Sequence, residues 1–272
     1  MERGGCGRPF LYTVRMRILM VGDVVGEPGR RLLETFLPEL RREHQLDFVV
    51  VNGENAAHGH GINESIVRPW IDELGIDVIT TGNHAFDSKG WEELYPAEPR
   101  LLRPANYPPG TPGSGYVKLH TAAGLEILVI DLIGRVFMQP ADDPFRVADA
   151  LLMKERADLV LVDIHAEATS EAQAMGWYLD GRVAAVLGTH RHVPTLDAKV
   201  LPGGTAYVTD IGMTGPYEGV IGMTKESSLG RFLKAKGGRW EVASGDLQFH
   251  AVLVETDGRK ARSIERIVRK LP

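Results

Sequence analysis

Arg17-Ile18-Leu19-Met20-Val21-Gly22-Asp23 is a short apolar run that halts on a glycine and a carboxylate. Such a run, bounded by turn-forming residues, reads as a buried strand. The stretch behind it carries Leu32, Leu33, Phe36, Leu37 and Leu40 at helical spacing, which makes a strand-helix unit. The pattern returns with Phe48-Val49-Val50-Val51, which ends at Asn52-Gly53-Glu54-Asn55. Behind it come Ile66, Val67, Trp70, Ile71 and Leu74, with Asn63 as the N-cap and Gly75 as the stop. Val78-Ile79-Thr80-Thr81 then ends at Gly82-Asn83-His84.

Further along, Leu159 to Ile164 runs into His165, and Ala184 to Leu187 runs into Gly188-Thr189-His190-Arg191-His192. Between and after these runs the sequence predicts hairpins: Gly115 to Gly134 turning at Ala123-Gly124, Asp197 to Asp210 around Pro202-Gly203-Gly204, and Phe249 to Val268 around Asp257-Gly258. Strands alternating with helices, without a low-complexity linker or tandem repeat, predict one α/β domain with two sheets over residues 16–272. Met1 to Arg15 lacks the apolar core of a secretory signal and is expected to be a disordered leader from an upstream start, outside the fold.

The composition narrows the function classes. In 272 residues, 36 acidic side chains outnumber 31 basic ones, which argues against coating a polyanion but permits a local positive pocket. No uninterrupted apolar stretch reaches the ~18 residues needed to span a bilayer, so no membrane partner is expected. The lone Cys6 supports neither a disulfide nor a cysteine metal site, and the cytoplasm is the default compartment.

In open α/β sheets the functional crevice lies beyond the carboxyl ends of the strands. Five predicted strands deliver Asp23, Glu54-Asn55, Asn83-His84, His165, and His190 with His192 to that edge. Of nine histidines, these four follow an apolar run, whereas His44, His58, His60, His120 and His250 do not. One histidine at a strand end is commonly structural; five coincident strand ends indicate a site.

Carboxylates, amide oxygens and imidazoles together suit Mn, Fe, Zn or Co better than calcium. Asp23, Glu54, Asn55, Asn83, His165, His190 and His192 are too many for one tetrahedral ion and would fill two adjacent sites with a carboxylate bridging them. Two divalent ions against two carboxylates leave a positive hole, suited to a phosphoryl group.

The ordered blocks Gly82-Asn83-His84 and Gly188-Thr189-His190-Arg191-His192 resemble those of the calcineurin-like metallophosphoesterases. Gly22-Asp23-Val24-Val25-Gly26, Val51-Asn52-Gly53-Glu54-Asn55, His165-Ala166-Glu167-Ala168-Thr169-Ser170-Glu171 and Gly204-Thr205-Ala206-Tyr207 resemble the YmdB-type bacterial phosphodiesterases over nearly the whole chain after Met16. The resemblance implies a four-layer αββα sandwich with two mixed β-sheets. It also implies a di-metal centre, most readily of Fe or Mn, in divalent or mixed-valence form, with Zn or Co as alternatives. Asp23, Asn55 and His192 would hold the first ion, Asn83, His165 and His190 the second, and Glu54 would bridge them. His84 would stand off the ions as the general acid.

The activity so implied is hydrolysis of 2',3'- or 3',5'-cyclic nucleotides by hydroxide from a water that the ions acidify. Phosphomonoesterase, nuclease or regulatory RNA-associated roles on the same centre are the alternatives. The chain departs from the broad superfamily pattern at Val25, where a histidine ligand is usual, at Glu54, where an aspartate usually bridges, and at Ala85, where a carboxylate often follows the acid histidine. Asn55 would replace the lost nitrogen, and the role of Asp87 stays open.

Other motifs take plainer readings. The glycines around Asp23 lack the Gly-Lys-Ser/Thr of a nucleotide loop. His58-Gly59-His60 reads as a solvated loop, and Trp70, Trp91, Trp177 and Trp240 read as packing. The basic residues Arg259, Lys260, Arg262, Arg266, Arg269 and Lys270 read as a solvated hairpin face rather than an RNA contact. A small phosphodiester is the expected partner, and homo-oligomerisation is left open.

Overall fold

The computed structural model describes residues 15–234 and 239–271; the leader up to residue 14 lies outside them. The elements are β1 (Arg15–Val21), α1 (Gly26–His44), β2 (Phe48–Asn52), α2 (Glu64–Asp72), β3 (Val78–Thr80), α3 (Trp91–Ala97), β4 (Tyr116–His120), β5 (Glu126–Ile133) and α4 (Pro144–Lys154). They continue with β6 (Leu159–His165), α5 (Thr169–Tyr178), β7 (Ala185–Thr189), β8 (Lys199–Val200), β9 (Ala206–Val208), β10 (Gly215–Pro216), α6 (Lys225–Lys234), β11 (Leu247–Asp257) and β12 (Lys260–Lys270). Arg15, expected in the leader, is the first residue of β1 and pairs with Asp257, because the β11 partner extends that far.

One sheet places β1, β2 and β3 side by side in parallel, with β11 antiparallel to β1, β12 antiparallel to β11, and β10 pairing the start of β11. The other runs β4-β5-β6-β7-β9-β8, parallel from β5 to β9 and antiparallel at both edges. Both sheets are mixed, and all three expected hairpins form.

Period-two alternation explains the layering. Leu19 and Val21 of β1 join Leu32, Leu37 and Trp70 of the helices on one face. Ile18 and Met20 join Ile127, Val129, Leu161 and Leu187 of the second sheet on the other. From β5, Leu128, Ile130 and Leu132 turn outward to Ala148, Ala172 and Met175. Three apolar layers thus lie between four structural ones, the αββα sandwich. Each large side chain buried there contributes ~1.5–3 kcal/mol.

Where the strands end, apolar packing gives way to a buried polar clamp between the sheets. Asp163 of β6 accepts from Thr80 Oγ1 at 2.6 Å and from Asn52 Nδ2 at 3.2 Å, both from the first sheet. Asp131 of β5 accepts from Thr81 N at 3.0 Å. These bonds fix the two carboxyl edges against each other, and the candidate site is built on that rim.

Candidate active site

Every strand-end residue singled out in the sequence reaches this rim. Four donor atoms converge on one side. Nε2 of His165 lies 3.0 Å from Asn83 Oδ1, from His190 Nδ1 and from Glu54 Oε1. An imidazole nitrogen donates at most one hydrogen bond, so three neighbours at this distance exceed what hydrogen bonding explains. Donors at right angles around an ion at ~2.1 Å lie about 3.0 Å apart. Glu54, His165 and His190 together offer one ligand atom each within 4.8 Å of one another, a group able to hold a metal ion.

A second set gathers beside the first: His192 Nε2 lies 3.3 Å from Asn55 Oδ1 and 3.9 Å from Asp23 Oδ1. The sets are tied by the amide of His190, which donates to Asp23 Oδ2 at 3.1 Å. Oδ1 of Asp23 is buried without a hydrogen bond, and Oε1 of Glu54 faces only the shared Nε2 of His165. A buried carboxylate oxygen left so is costly unless a cation meets it. The donor chemistry, the over-shared Nε2 of His165 and the orphaned oxygen of Asp23 therefore fit metal.

The other nitrogen of each histidine is committed. Thr189 Oγ1 donates to Asp163 Oδ1 at 2.7 Å and so accepts the Nδ1 proton of His165 at 3.0 Å. His190 Nε2 meets Glu167 at 3.0 Å, and His192 Nδ1 donates to the carbonyl of Ile221 at 2.9 Å. Such partners fix ring orientation and leave the opposite nitrogen facing the cluster; an ion there would displace the proton that Glu54 holds on His165.

Charge follows the same division. Burial disfavours charge on both Glu54 and His165, but their mutual attraction outweighs it, holding Glu54 below the usual carboxylate range and His165 above the usual imidazole range. Burial, reinforced by the charge of His165, pushes His190 down to about 3; burial pushes His192 down to about 4. Both are neutral at pH 7, as metal ligation requires.

Local backbone explains the motif spacing. A Cβ at Gly82 would lie 2.2 Å from His165 Cδ2 and 2.5 Å from Glu54 Oε2, so only glycine lets Asn83 approach. His190 and His192 have φ of 104° and 62°, rarely adopted by side-chain-bearing residues. Arg191 between them is clamped by Asp210 Oδ2, which accepts from its amide at 3.0 Å and its Nε at 3.2 Å. That clamp holds the loop in its strained course.

His84 stands apart. Its amide donates to Glu54 Oε2 at 3.1 Å, while its partly exposed ring places Nδ1 2.7 Å from Asp87 Oδ2. Asp87, whose role the sequence left open, thus orients this histidine. Both line a cleft of about 340 Å³ together with Glu54, Asn55, His190 and His192.

Sequence reasoning missed the supporting residues Asn52, Asp163, Glu167, Thr189, Arg191 and Asp210. A charge inside the apolar run of β6 was the available signal for Asp163. Two plainer readings also change. His60 lines the cleft with its ring 6.0 Å from that of His84, whereas His58 is exposed. Trp70 is core and Trp91 packs on Phe86 at 4.3 Å, but Trp177 is exposed and Trp240 lines the cleft. Among the described residues no helix is long and apolar enough to cross a membrane.

A 2',3'-cyclic-nucleotide 2'-phosphodiesterase of Bacillus subtilis is 48% identical over 259 residues, 93% of this chain and 97% of the relative. The crystal structure of a hypothetical protein from Thermus thermophilus superposes with a TM-score of 0.90 at 47% identity, covering 94% of this chain and 100% of that one. The crystal structure of a novel phosphatase from Mycoplasma pneumoniae gives 0.90 at 32% identity, covering 95% and 94% of the two chains. With residues 19–267 also matched by the family model described as YmdB-like protein, the chain belongs to that family.

Proposed function

We propose that the chain is a di-metal phosphodiesterase that opens 2',3'-cyclic nucleotides. It is a phosphoric ester hydrolase, the class to which the named Bacillus relative belongs. The observation that carries the finer reading is the pairing of two donor sets, each holding a buried carboxylate, beside an oriented histidine. Asp23, Asn55 and His192 would hold one ion, Asn83, His165 and His190 the other, and Glu54 both; iron or manganese suits these donors best, with zinc or cobalt next. Bound metal supplies an acidified water and neutralises phosphoryl oxygens.

The chain's own groups do the remainder. Asp87 accepts the Nδ1 proton of His84, which leaves Nε2 as the nitrogen available to substrate. As a water oxygen bonds to phosphorus and the bond from phosphorus to O2' breaks, the imidazolium form of His84 gives its Nε2 proton to O2', and a nucleoside 3'-phosphate departs. Such proton donation is typically worth ~10²- to 10⁴-fold. Glu167 and Thr189 hold His190 and His165 throughout.

Assaying the metal-loaded protein against 2',3'-cyclic AMP, 3',5'-cyclic AMP, bis(p-nitrophenyl) phosphate and p-nitrophenyl phosphate tests the reading. Preference for the 2',3'-cyclic diester supports it; turnover confined to the monoester would make the chain a phosphatase instead.

A further inference from the structure

Half of the cleft has no work to do on a phosphate. Beyond the polar groups, its lining consists of Gly59, His60, Ile221, Met223 and Trp240. Ile221 and Trp240 remain 50% and 37% exposed, large apolar surfaces kept facing solvent. Ile221 is also held at φ 46°, a backbone conformation that a β-branched residue rarely adopts. Its carbonyl accepts from His192 Nδ1 at 2.9 Å, so this wall is fastened to the site itself. Gly59 makes room for it: a Cβ there would come within 2.7 Å of Met223 Cε.

The guanidinium of Arg231 lies over one face of the Trp240 indole, 3.9 Å from its ring centroid, so a ligand would meet the other face. An oriented aromatic plane and two flexible or branched apolar chains beside a phosphoester centre match a ligand with a flat, apolar-faced group attached to its phosphate. The cleft volume of about 340 Å³ suits a small organic ligand. Resting on the phosphodiesterase reading above, the geometry points to Trp240 as the platform on which the substrate's purine or pyrimidine base stacks. Every base has a π-face, so the platform separates nucleotides from base-free diesters while tolerating base identity.

The test compares wild type, W240A and W240F on 2',3'-cyclic AMP and on methyl ribofuranoside 2',3'-cyclic phosphate, the same diester without a base. W240A is expected to raise KM for cyclic AMP about 10- to 100-fold, with kcat nearly unchanged. It should leave both constants for the base-free diester where they were, and W240F should recover most of the loss. In parallel, 3'-AMP should quench the tryptophan fluorescence of wild type more than that of W240F. Equal losses on both diesters, or none on cyclic AMP, would overturn the platform and leave the hydrolase reading standing. Wild-type turnover of neither diester would overturn the hydrolase reading, and the quenching by 3'-AMP then decides the platform independently.

Discussion

The carboxylate of Asp87 stands 2.7 Å from Nδ1 of His84, and both side chains line the cleft that holds the donor cluster. If that bond orients a proton donor, the consequence of breaking it depends on the leaving group. His84→Ala should lower kcat by ~10²- to 10⁴-fold for an alkoxide leaving group and far less for p-nitrophenolate, which departs without protonation. Asp87→Asn should show the same asymmetry at about a tenth of the size or more. Equal losses on both esters, read from steady-state kinetics, would remove the acid role from His84.

Thr189 links His165 to Asp163, its hydroxyl accepting from the first and donating to the second. Thr189→Val should weaken metal binding about 10- to 100-fold, because the His165 ring loses its orienting partner. Thr189→Ser should bind as wild type does. Titration of the apo-protein with manganese followed by calorimetry measures this, and equal affinity in the valine variant would contradict it.

Gly82 tests whether steric room is what the Gly-Asn-His block encodes. A methyl group at this position meets His165 and Glu54 inside normal contact distance. Gly82→Ala should therefore lose metal and activity while keeping the far-UV circular dichroism of the fold, at a cost of ~1–3 kcal/mol in stability. Full metal occupancy in this variant would show that the rim yields more easily than its geometry implies.

Much of this was legible in the sequence. Strand runs and their polar ends are local, and parallel topology sends those ends to one edge, so Asp23, Glu54, Asn83, His165 and His190 could be placed together from sequence. The helices α4 and α5 were not legible as clearly. Asp143-Pro144 does carry a cap signal, and Asp143 Oδ1 accepts from Phe145 N at 2.9 Å. By contrast, α5 buries Glu171, Ala172, Met175 and Gly176, and Gly176 is required by the ring of Tyr207 rather than by any helical pattern. The supporting residues were hidden for a related reason: Asp163, Thr189 and Asp210 act across sheet pairings and loops that one-dimensional periodicity does not reveal. Asp87 could be noticed but not assigned, since its value depends on a turn geometry.

His250 offers a pH signature separate from the candidate ligands. Burial, with Arg266 and Lys270 adding repulsion, pushes its imidazole down to about 4. In the unfolded chain a histidine titrates near ~6.5. Between those values the unfolded chain binds a proton that the folded chain does not, so stability falls as pH drops through this window and is fully present above it. The contribution is on the order of 3 kcal/mol. His250→Gln should flatten the dependence of melting temperature on pH between about 6.5 and 4 relative to wild type. Parallel curves would show that His250 does not carry this linkage.

Crystals of manganese-loaded protein, with data collected to reveal anomalous scattering, should show two peaks: one among Asp23, Asn55 and His192, the other among Asn83, His165 and His190, with Glu54 reaching both. Glu54→Gln should weaken both peaks. A single peak, or density with no ion touching Glu54, would contradict the two-ion centre.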